Sequence, residues 1–333
     1  MQFPGLIGNA DTKSAIAAAF SSGRFPHAIV LQGESGTGKR SFARLIAQAL
    51  VCRNPEIAPC GTCPSCVRAM AGSHPDIRVI EGSGKSRAIS VDAVRALTAD
   101  AYRKPEEALC SVYLLFIENQ ITEIVQNKLL KLIEEPPENT IFILTCSSAE
   151  LLLPTIRSRV QIYTLRPPSV TEAAAFFAGE AGTLVAGALP PSDAQRLSAL
   201  CGGNIGLMQQ ELGGGAAETA KALAAKLSGL LMEPGEHQLL AAAAPLYKDR
   251  QLLDEVLQRL HLIFRDACVL RAGSEILLST ARAEAQKLGA LSMKRLTALE
   301  AVPEAYRRKL RHNANMTLLV TALCAQMREI VGR

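Results

Sequence analysis

The sequence predicts an α/β region built on a mostly parallel sheet, followed by a region that is entirely helical. Short apolar runs at residues 28–31, 112–117 and 140–145 alternate with segments of helical periodicity. Beyond Gly213-Gly214-Gly215 every apolar pattern has the spacing of a helix. Strands that alternate with helices pair in parallel and are covered by helices on both faces, so we expect a layered α/β fold first and a helical bundle after it.

Composition limits the class of protein. The chain has 333 residues, of which almost half are apolar, and a formal net charge of +5. No apolar run is long enough to cross a bilayer, and the first residues lack a basic region followed by an apolar block. We therefore expect a cytoplasmic protein without membrane contact. The modest charge permits contact with a polyanion without requiring it, and nine cysteines without an export signal favour metal binding or free thiols over disulfides.

The first elements along the chain frame a phosphate-binding loop. A helix is predicted at 10–22, a buried strand at 28–31 and a helix at 40–51. The loop between strand and second helix has the pattern GxxxxGK, in which glycines let backbone N–H groups converge on phosphate oxygens and the lysine adds a positive charge. Its candidate phosphate-binding residues are Gly33, Gly36, Thr37, Gly38 and Lys39.

The residue after the lysine alters the chemistry expected of this loop. Productive loops place Ser or Thr there as a Mg²⁺ ligand, whereas this chain has Arg40, and Ser41 lies about 100° further round the helix. Two interpretations remain open at this point. The loop holds anions without a complete metal site, or it is vestigial and binds nothing.

Four cysteines follow with the spacing of a metal site. Cys52, Cys60, Cys63 and Cys66 form a C-x₇-C-x₂-C-x₂-C pattern. Four thiolates with two tight CxxC turns fit tetrahedral Zn²⁺ with no open ligand position, which is the pattern of a structural site. A redox role is less favoured, because no strand leads into a CxxC at a helix start. The other five cysteines are expected to be packed thiols, and His74 a loop residue.

The central stretch has the order strand, helix, strand. After a strand at 77–80, a loop at 82–86 and a helix capped by Ser90, a strand at 112–117 precedes a helix over 126–133, which Glu134-Glu135-Pro136-Pro137 ends. A nucleotide-hydrolysing protein needs two acids at the end of that strand, but Phe116-Ile117 occupy those places. A register shifted by two would offer only Glu118-Asn119. Arg159 follows a Pro-Thr turn after the next strand, and a last strand is predicted at 160–165.

The remaining patterns predict helices at 170–178, 220–231, 252–270, 274–288, 292–299 and 315–331, with one more before Gly202-Gly203-Asn204. We predict three domains: an α/β domain at 1–166 with a zinc module at 52–66, a helical lid at 167–212, and an all-α collar for oligomerisation at 216–333.

These motifs together resemble one family, the bacterial DNA polymerase III clamp-loader subunits, which are AAA+ P-loop proteins. The resemblance is carried by the loop at 33–39, the four cysteines, His74-Pro75-Asp76 and the segments at 90–95, 127–137 and 153–159. It covers the first half of the chain in order. In the collar only Asn313-Ala314-Asn315 supports it.

The resemblance implies an AAA+ sheet domain, a lid and a collar, and the departures from it concern one site. Arg40 replaces the hydroxyl residue, Phe116-Ile117 replace the acidic pair, and the sensor arginine expected near Gly206-Leu207 is missing. They favour the family's non-hydrolysing type of subunit. ATP or ADP binding then stays open without hydrolysis, and the chain would be an accessory subunit of a DNA polymerase rather than an enzyme.

The resemblance further assigns a role to Ser158-Arg159, which stand at the family's SRC motif with Val160 in place of its Cys. Arg159 would be an arginine finger in the ATP site of the adjacent subunit, and Ser158 would orient its loop. The implied partners are the gamma/tau and delta subunits, with the sliding clamp and primer–template DNA contacted through the assembly.

Two rival functions stay open at this stage. One is a gamma/tau-type ATPase with unusual ligands. The other is a stand-alone zinc protein that binds nucleic acid, which the lack of a strong basic stripe disfavours; the basic run at 307–312 is better explained as a solvated helix face or a subunit contact.

Overall fold

The structure is a computed structural model that describes residues 1–82, 88–117, 121–179, 189–212, 216–274, 277–279, 281–311 and 315–332. The chain divides into two compact units. The first consists of residues 1–191 and 201–207, and the second of residues 192–200 and 208–333. The predicted division into three domains stays a prediction.

The first unit is built on a parallel sheet of five strands. The strands are β1 Ala28–Gln32, β2 Ile77–Glu81, β3 Ser111–Phe116, β4 Thr140–Cys146 and β5 Gln161–Thr164. Their order across the sheet is β2-β3-β4-β1-β5, and every neighbouring pair is parallel. Each predicted strand is present within one residue at either end. Because parallel strands are joined by crossovers, the carboxyl ends of β1, β4 and β3 lie side by side at one edge of the sheet.

Helices cover both faces of this sheet. They are α1 Ala10–Ser21, α2 Lys39–Leu50, α3 Pro64–Met70, α4 Val91–Ala101, α5 Glu123–Glu134, α6 Pro154–Arg157 and α7 Val170–Ala178. Side chains of β1 alternate between the faces, as the period of a strand requires. Ile29 and Leu31 pack in one core with Phe42 of α2, whereas Ala28 and Val30 pack in the other with Leu129 of α5.

The second unit is helical, as the periodicity predicted. From residue 191 onward the helices are α8 Pro191–Leu200, α9 Ile205–Leu212, α10 Ala216–Leu230, α11 Glu236–Ala242, α12 Arg250–Arg271, α13 Arg282–Leu288, α14 Met293–Arg311 and α15 Met316–Val331. The first three residues of α9 belong to the first unit. The core of the second unit surrounds α12, whose Leu253, Leu257, Leu260 and Phe264 are fully buried.

The predicted helix at 274–288 is wrong at the described residues 277–279 and 281, because α13 begins only at Arg282. The side chain of Asp266, buried in α12, accepts hydrogen bonds from the backbone N–H groups of Leu278 and Ser279. These amides are satisfied by a carboxylate instead of by a helical turn, so the apolar spacing there does not require a helix. A second helix is longer than predicted: α14 continues to Arg311, beyond the predicted end at residue 299, and includes Pro303.

Several segments considered above lie outside the described residues: most of the loop at 82–86, Glu118-Asn119, the glycines at 213–215, and His312, Asn313 and Ala314. In the part of the chain that the structure describes, no helix combines the length and the apolar character needed to cross a bilayer.

Candidate functional site

The phosphate-binding loop joins the carboxyl end of β1 to the start of α2. Gly36 and Gly38 have φ of +84° and +83°, a region that glycine enters at little cost, and Gly38 caps α2. The N–H of Gly33 donates to the carbonyl of Cys146 at the end of β4 (3.2 Å). The predicted residues 33–39 therefore form a compact loop at the carboxyl edge of the sheet and lead into a helix N-terminus.

The ammonium group of Lys39 is engaged by its own loop. Its Nζ donates to the carbonyl oxygens of Gly33 (2.7 Å) and Glu34 (2.6 Å). Burial lowers the pKa of Lys39 below its ordinary value. The hydroxyl of Thr37, which is buried, also donates to the Glu34 carbonyl (2.8 Å). The two side chains that would face a phosphate thus stabilise the loop itself.

Arg40 and Phe116, two of the residues that depart from the hydrolytic pattern, lie against each other. The guanidinium carbon of Arg40 is 5.0 Å from the ring centroid of Phe116, and that of Arg44 is 5.7 Å from it. A cation over an aromatic face is attracted by the negative face of the ring. Phe116 ends β3 and is fully buried. The guanidinium of Arg40 therefore lies over an aromatic ring at the carboxyl end of β3.

The segment at 204–206 packs closely on the loop. The Asn204 side-chain amide donates to the carbonyl of Ser35 (2.8 Å), and the N–H of Gly206 donates to that of Gly36 (3.0 Å). A Cβ at Gly36 would lie 2.2 Å from Oδ1 of Asn204, and one at Gly206 would lie 2.4 Å from the Cα of Gly36. Position 206 is therefore too close to the loop for any side chain.

The four predicted cysteines come together. The sulfur atoms of Cys52, Cys60, Cys63 and Cys66 all lie within 4.8 Å of one another. Those of Cys60 and Cys66 are 3.9 Å apart, close to the roughly 3.8 Å that tetrahedral Zn–S bonds of about 2.3 Å require. Cys63 caps α3, and the N–H of Cys66 donates to its sulfur (3.4 Å).

The surroundings of the cluster favour the thiolate at Cys60 and oppose it at Cys66. Hydrogen bonds from the backbone N–H groups of Cys63 and Thr62 lower the pKa of Cys60 to about 5. Burial raises the pKa of the Cys66 thiol to about 12, so a bound cation would be needed to hold it as a thiolate. His74 lies outside the cluster: its Nδ1 accepts from the N–H of Asp76 (3.1 Å). Donor set and spacing fit Zn²⁺.

Arg159 is presented by α6, a helix of four residues that replaces the predicted Pro-Thr turn and has Pro154 at its start. Its Nη1 donates to the carbonyl of Thr155 (3.0 Å) and to the hydroxyl of Ser158 (3.1 Å). Its Nη2 pairs with Oε1 of Glu134 at 2.9 Å. The guanidinium therefore lies at the surface with defined partners, one of which is the predicted Ser158.

Three groups of predicted residues are thus each assembled locally: the loop at 33–39, the four cysteines, and Ser158 with Arg159. Sequence reasoning missed Asn204 as a partner of the loop and Glu134 as the partner of Arg159. The segment Gly202-Gly203-Asn204 indicated a tight turn, but nothing in it indicated that the turn contacts the loop. Glu134 is 25 positions from Arg159, and the sequence indicated only that it lies in the last turn of a helix.

The basic run at 307–311 is in part neutralised within the second unit. Arg307 of α14 pairs with Asp254 of α12 (2.9 Å) and with Glu304 (3.3 Å). Arg307 therefore joins two helices of the second unit, and the interpretation of the run as a solvated helix face or a subunit contact stays a prediction.

Comparison with known proteins gives concordant matches in the first half of the chain. Residues 8–169 match the family described as DNA polymerase III, delta subunit. The chain is 36% identical over 174 residues to the DNA polymerase III subunit gamma/tau of Mycobacterium bovis, which is 51% of this chain and 30% of that protein. It is 36% identical over 155 residues to the subunit delta' of Haemophilus influenzae (46% and 47% of the two chains) and 32% over 154 residues to that of Escherichia coli (46% of each).

The fold agrees over a longer span. A crystal structure of a DNA polymerase III gamma subunit-related protein from Thermotoga maritima matches with a TM-score of 0.51 at 18% identity, covering 96% of this chain and 100% of that one. The sheet, its loop and this match define a P-loop α/β protein. Over residues 8–169, the chain is similar in sequence to clamp-loader subunits of the AAA+ family. It spans less than half the length of the curated relatives named above.

Proposed function

We propose that this chain is the non-hydrolysing delta-prime subunit of a DNA polymerase III clamp loader, a cytoplasmic complex that places the sliding clamp on primed DNA. Relatives of both the gamma/tau and the delta' type match the first half with similar identity, so the distinction depends on individual side chains. The observation that carries it is the stack of Arg40 on Phe116 (5.0 Å). Both residues stand where a hydrolysing subunit needs oxygen ligands for Mg²⁺.

Two further contacts support a loop that does not turn over ATP. Lys39 is held by the carbonyls of Gly33 and Glu34, and Gly206 is pressed against Gly36 at the place near which a sensor arginine was expected. Binding of ATP or ADP by residues 33–39 is a separate matter from hydrolysis. Anion contacts need only the backbone amides and a positive charge, whereas hydrolysis also needs the metal and a polarised water.

In this function Arg159 acts on the neighbouring subunit. Phosphoryl transfer builds negative charge on the transferred group, and an arginine supplied in trans contributes about 10³–10⁵-fold to its rate. The side chain of Arg159 is 42% exposed, two residues beyond the end of the short helix α6. Ser158 supports it, since its hydroxyl donates to the carbonyl of Thr155 (3.0 Å) and accepts from Arg159.

The expected partners are gamma/tau and delta subunits, and through the complex the clamp and the primer–template. In the proposal Zn²⁺ is bound by Cys52, Cys60, Cys63 and Cys66 and stabilises the segment at 52–66. Four sulfur ligands leave no open position, so the metal has no part in hydrolysis.

The test uses the complex reconstituted with gamma/tau and delta subunits. We expect Arg159→Ala to lower the DNA-dependent ATPase rate at least tenfold, because the neighbouring site loses its trans cation. Arg157→Ala is the matched control, since Arg157 is an exposed arginine two positions before Arg159, at the last residue of α6. Equal ATPase rates for the two variants would contradict the role of Arg159 in trans. Magnesium-dependent ATP turnover by the pure chain alone would contradict the non-hydrolysing assignment.

A further inference from the structure

The last residue of α5 holds the guanidinium of Arg159. Oε1 of Glu134 lies 2.9 Å from Nη2 of Arg159, while Nη1 is bound to the Thr155 carbonyl and the Ser158 hydroxyl. Both terminal nitrogens of the arginine are therefore engaged within this chain. A guanidinium with these partners is bound to its own chain. It must break the ion pair with Glu134 before it can contact another chain.

The carboxylate is presented from a fixed backbone. At the start of α5 the buried side chain of Gln126 donates to the carbonyl of Leu151 (3.1 Å) and accepts from the N–H of Leu153 (2.6 Å), just before α6. At its end the ring of His27 contacts the carbonyl of Ile133 (3.1 Å). The helix that carries Glu134 is thus bound both to the segment that leads to Arg159 and to the residue before β1.

The ion pair is strong enough to bias Arg159 and weak enough to release it. The side chains of Glu134 and Arg159 are 37% and 42% exposed, and water-exposed pairs shift an equilibrium by at most about fivefold. A triphosphate offers an arginine more negative charge and more acceptor oxygens than one carboxylate does. A nucleotide on an adjacent subunit would therefore displace Glu134.

We propose that Glu134 is a positioning residue that keeps Arg159 on its own subunit until the phosphates of a neighbouring nucleotide take it over. The inference depends on the proposed role of Arg159 in trans. In the assembly Glu134 lowers the fraction of complexes whose finger is engaged before DNA binds, and so lowers idle ATP turnover. Once DNA has closed the interface, the phosphates hold the arginine and Glu134 has no further effect.

The experiment replaces Glu134 by its neutral isostere in the reconstituted complex. We expect Glu134→Gln to raise the ATPase rate without DNA about two- to fivefold and to leave the rate at saturating primed DNA unchanged. Glu135→Gln is the matched control, because it removes the same charge one position away and no side-chain partner of Glu135 is found in the described part of the chain. A fall in the DNA-free rate, or the same rate in both variants, would overturn the proposal.

A second pair of variants tests whether Glu134 acts through Arg159. In an Arg159→Ala background, Glu134→Gln should change neither rate, since no finger is left to release. A rise that persists there would overturn the proposal, because Glu134 would then act elsewhere. If Arg159→Ala alone is neutral, the finger itself fails and this inference fails with it. If Arg159→Ala is impaired but Glu134→Gln equals Glu135→Gln, only the positioning role fails.

Discussion

At the scale of single residues, the first half of the chain depends on a few buried polar side chains. Asp76, which follows His74-Pro75 and is 4% exposed, accepts hydrogen bonds from the N–H groups of Glu106 (2.6 Å), Glu107 (2.9 Å) and Ala108 (2.8 Å). Burial opposes its charge, but these bonds lower the pKa of Asp76 below its ordinary value. The carboxylate thus orders the segment that leads into β3.

We predict that Asp76→Asn lowers the free energy of unfolding by about 2 kcal/mol at pH 7, because an amide cannot accept from all three donors. The contribution of the carboxylate is fully present above the unfolded-state pKa of about 4 and is lost as the pH falls through the lower native pKa. The difference between wild type and variant should therefore shrink below about pH 4. Urea unfolding, followed by circular dichroism, measures this difference in the free energy of unfolding. A difference that does not change with pH would argue against a stabilising role of the Asp76 carboxylate.

At the scale of elements, the segment around α3 is too small for a core of its own. Cys63 caps α3 and the other three sulfurs gather around it. Segments of this size are commonly held by a metal, since the free energy of metal binding then becomes free energy of folding. Apolar side chains of α3 are in part exposed, among them Val67 (48%) and Met70 (64%).

We predict that the purified chain carries one zinc ion and that Cys63→Ser removes it, with a loss of more than about 3 kcal/mol in the stability of the first unit. Metal analysis measures the zinc content, and urea unfolding measures the stability. Circular dichroism follows the unfolding, because the chain has no tryptophan. Cys268→Ser, on α12 of the second unit, should keep the metal. A chain that retains full stability after chelation would contradict a structural site.

At the scale of the whole molecule, the two units have separate cores. The sheet unit is held by two apolar clusters on the faces of its sheet, and the helical unit by one cluster around α12. Leu114 of β3 and Leu257 of α12 are both fully buried, each in its own cluster. Stability is therefore expected to be local to each unit.

We predict that Leu114→Ala and Leu257→Ala each destabilise one unit by about 2–5 kcal/mol, the range for a cavity left by a buried leucine. Hydrogen exchange with mass spectrometry should then show faster exchange in β1, β3 and β4 for the first variant, and in α12 and α14 for the second. Each variant serves as the control for the other. Equal acceleration in both units would indicate a single cooperative fold.

What the sequence determined by itself is local. The five strands, the loop at 33–39, the gathering of four cysteines and the start of α15 at its Asn315 cap follow from patterns within a dozen or so residues. Periodicity indicates which side chains are buried, and the spacing of glycines or cysteines indicates turns and metal ligands. These features can therefore be predicted without knowing which distant residues they contact. The same reasoning failed at Leu278 and Ser279, where the deciding carboxylate of Asp266 lies on the preceding helix.

Only the tertiary structure decided which polar groups meet. Asn204 reaches Ser35 across 169 positions, Phe116 meets Arg40 across 76, and Glu134 meets Arg159 across 25. Such pairs depend on how distant segments of the chain are placed in the fold. An exposed or half-buried charged residue is not part of a periodic apolar pattern, so the sequence does not indicate its partner. The sequence therefore identified the loop at 33–39, the four cysteines and Arg159 separately. The fold determined that the guanidinium of Arg40 lies on the ring of Phe116 and that the carboxylate of Glu134 pairs with Arg159, because long-range contacts are fixed by packing rather than by local spacing.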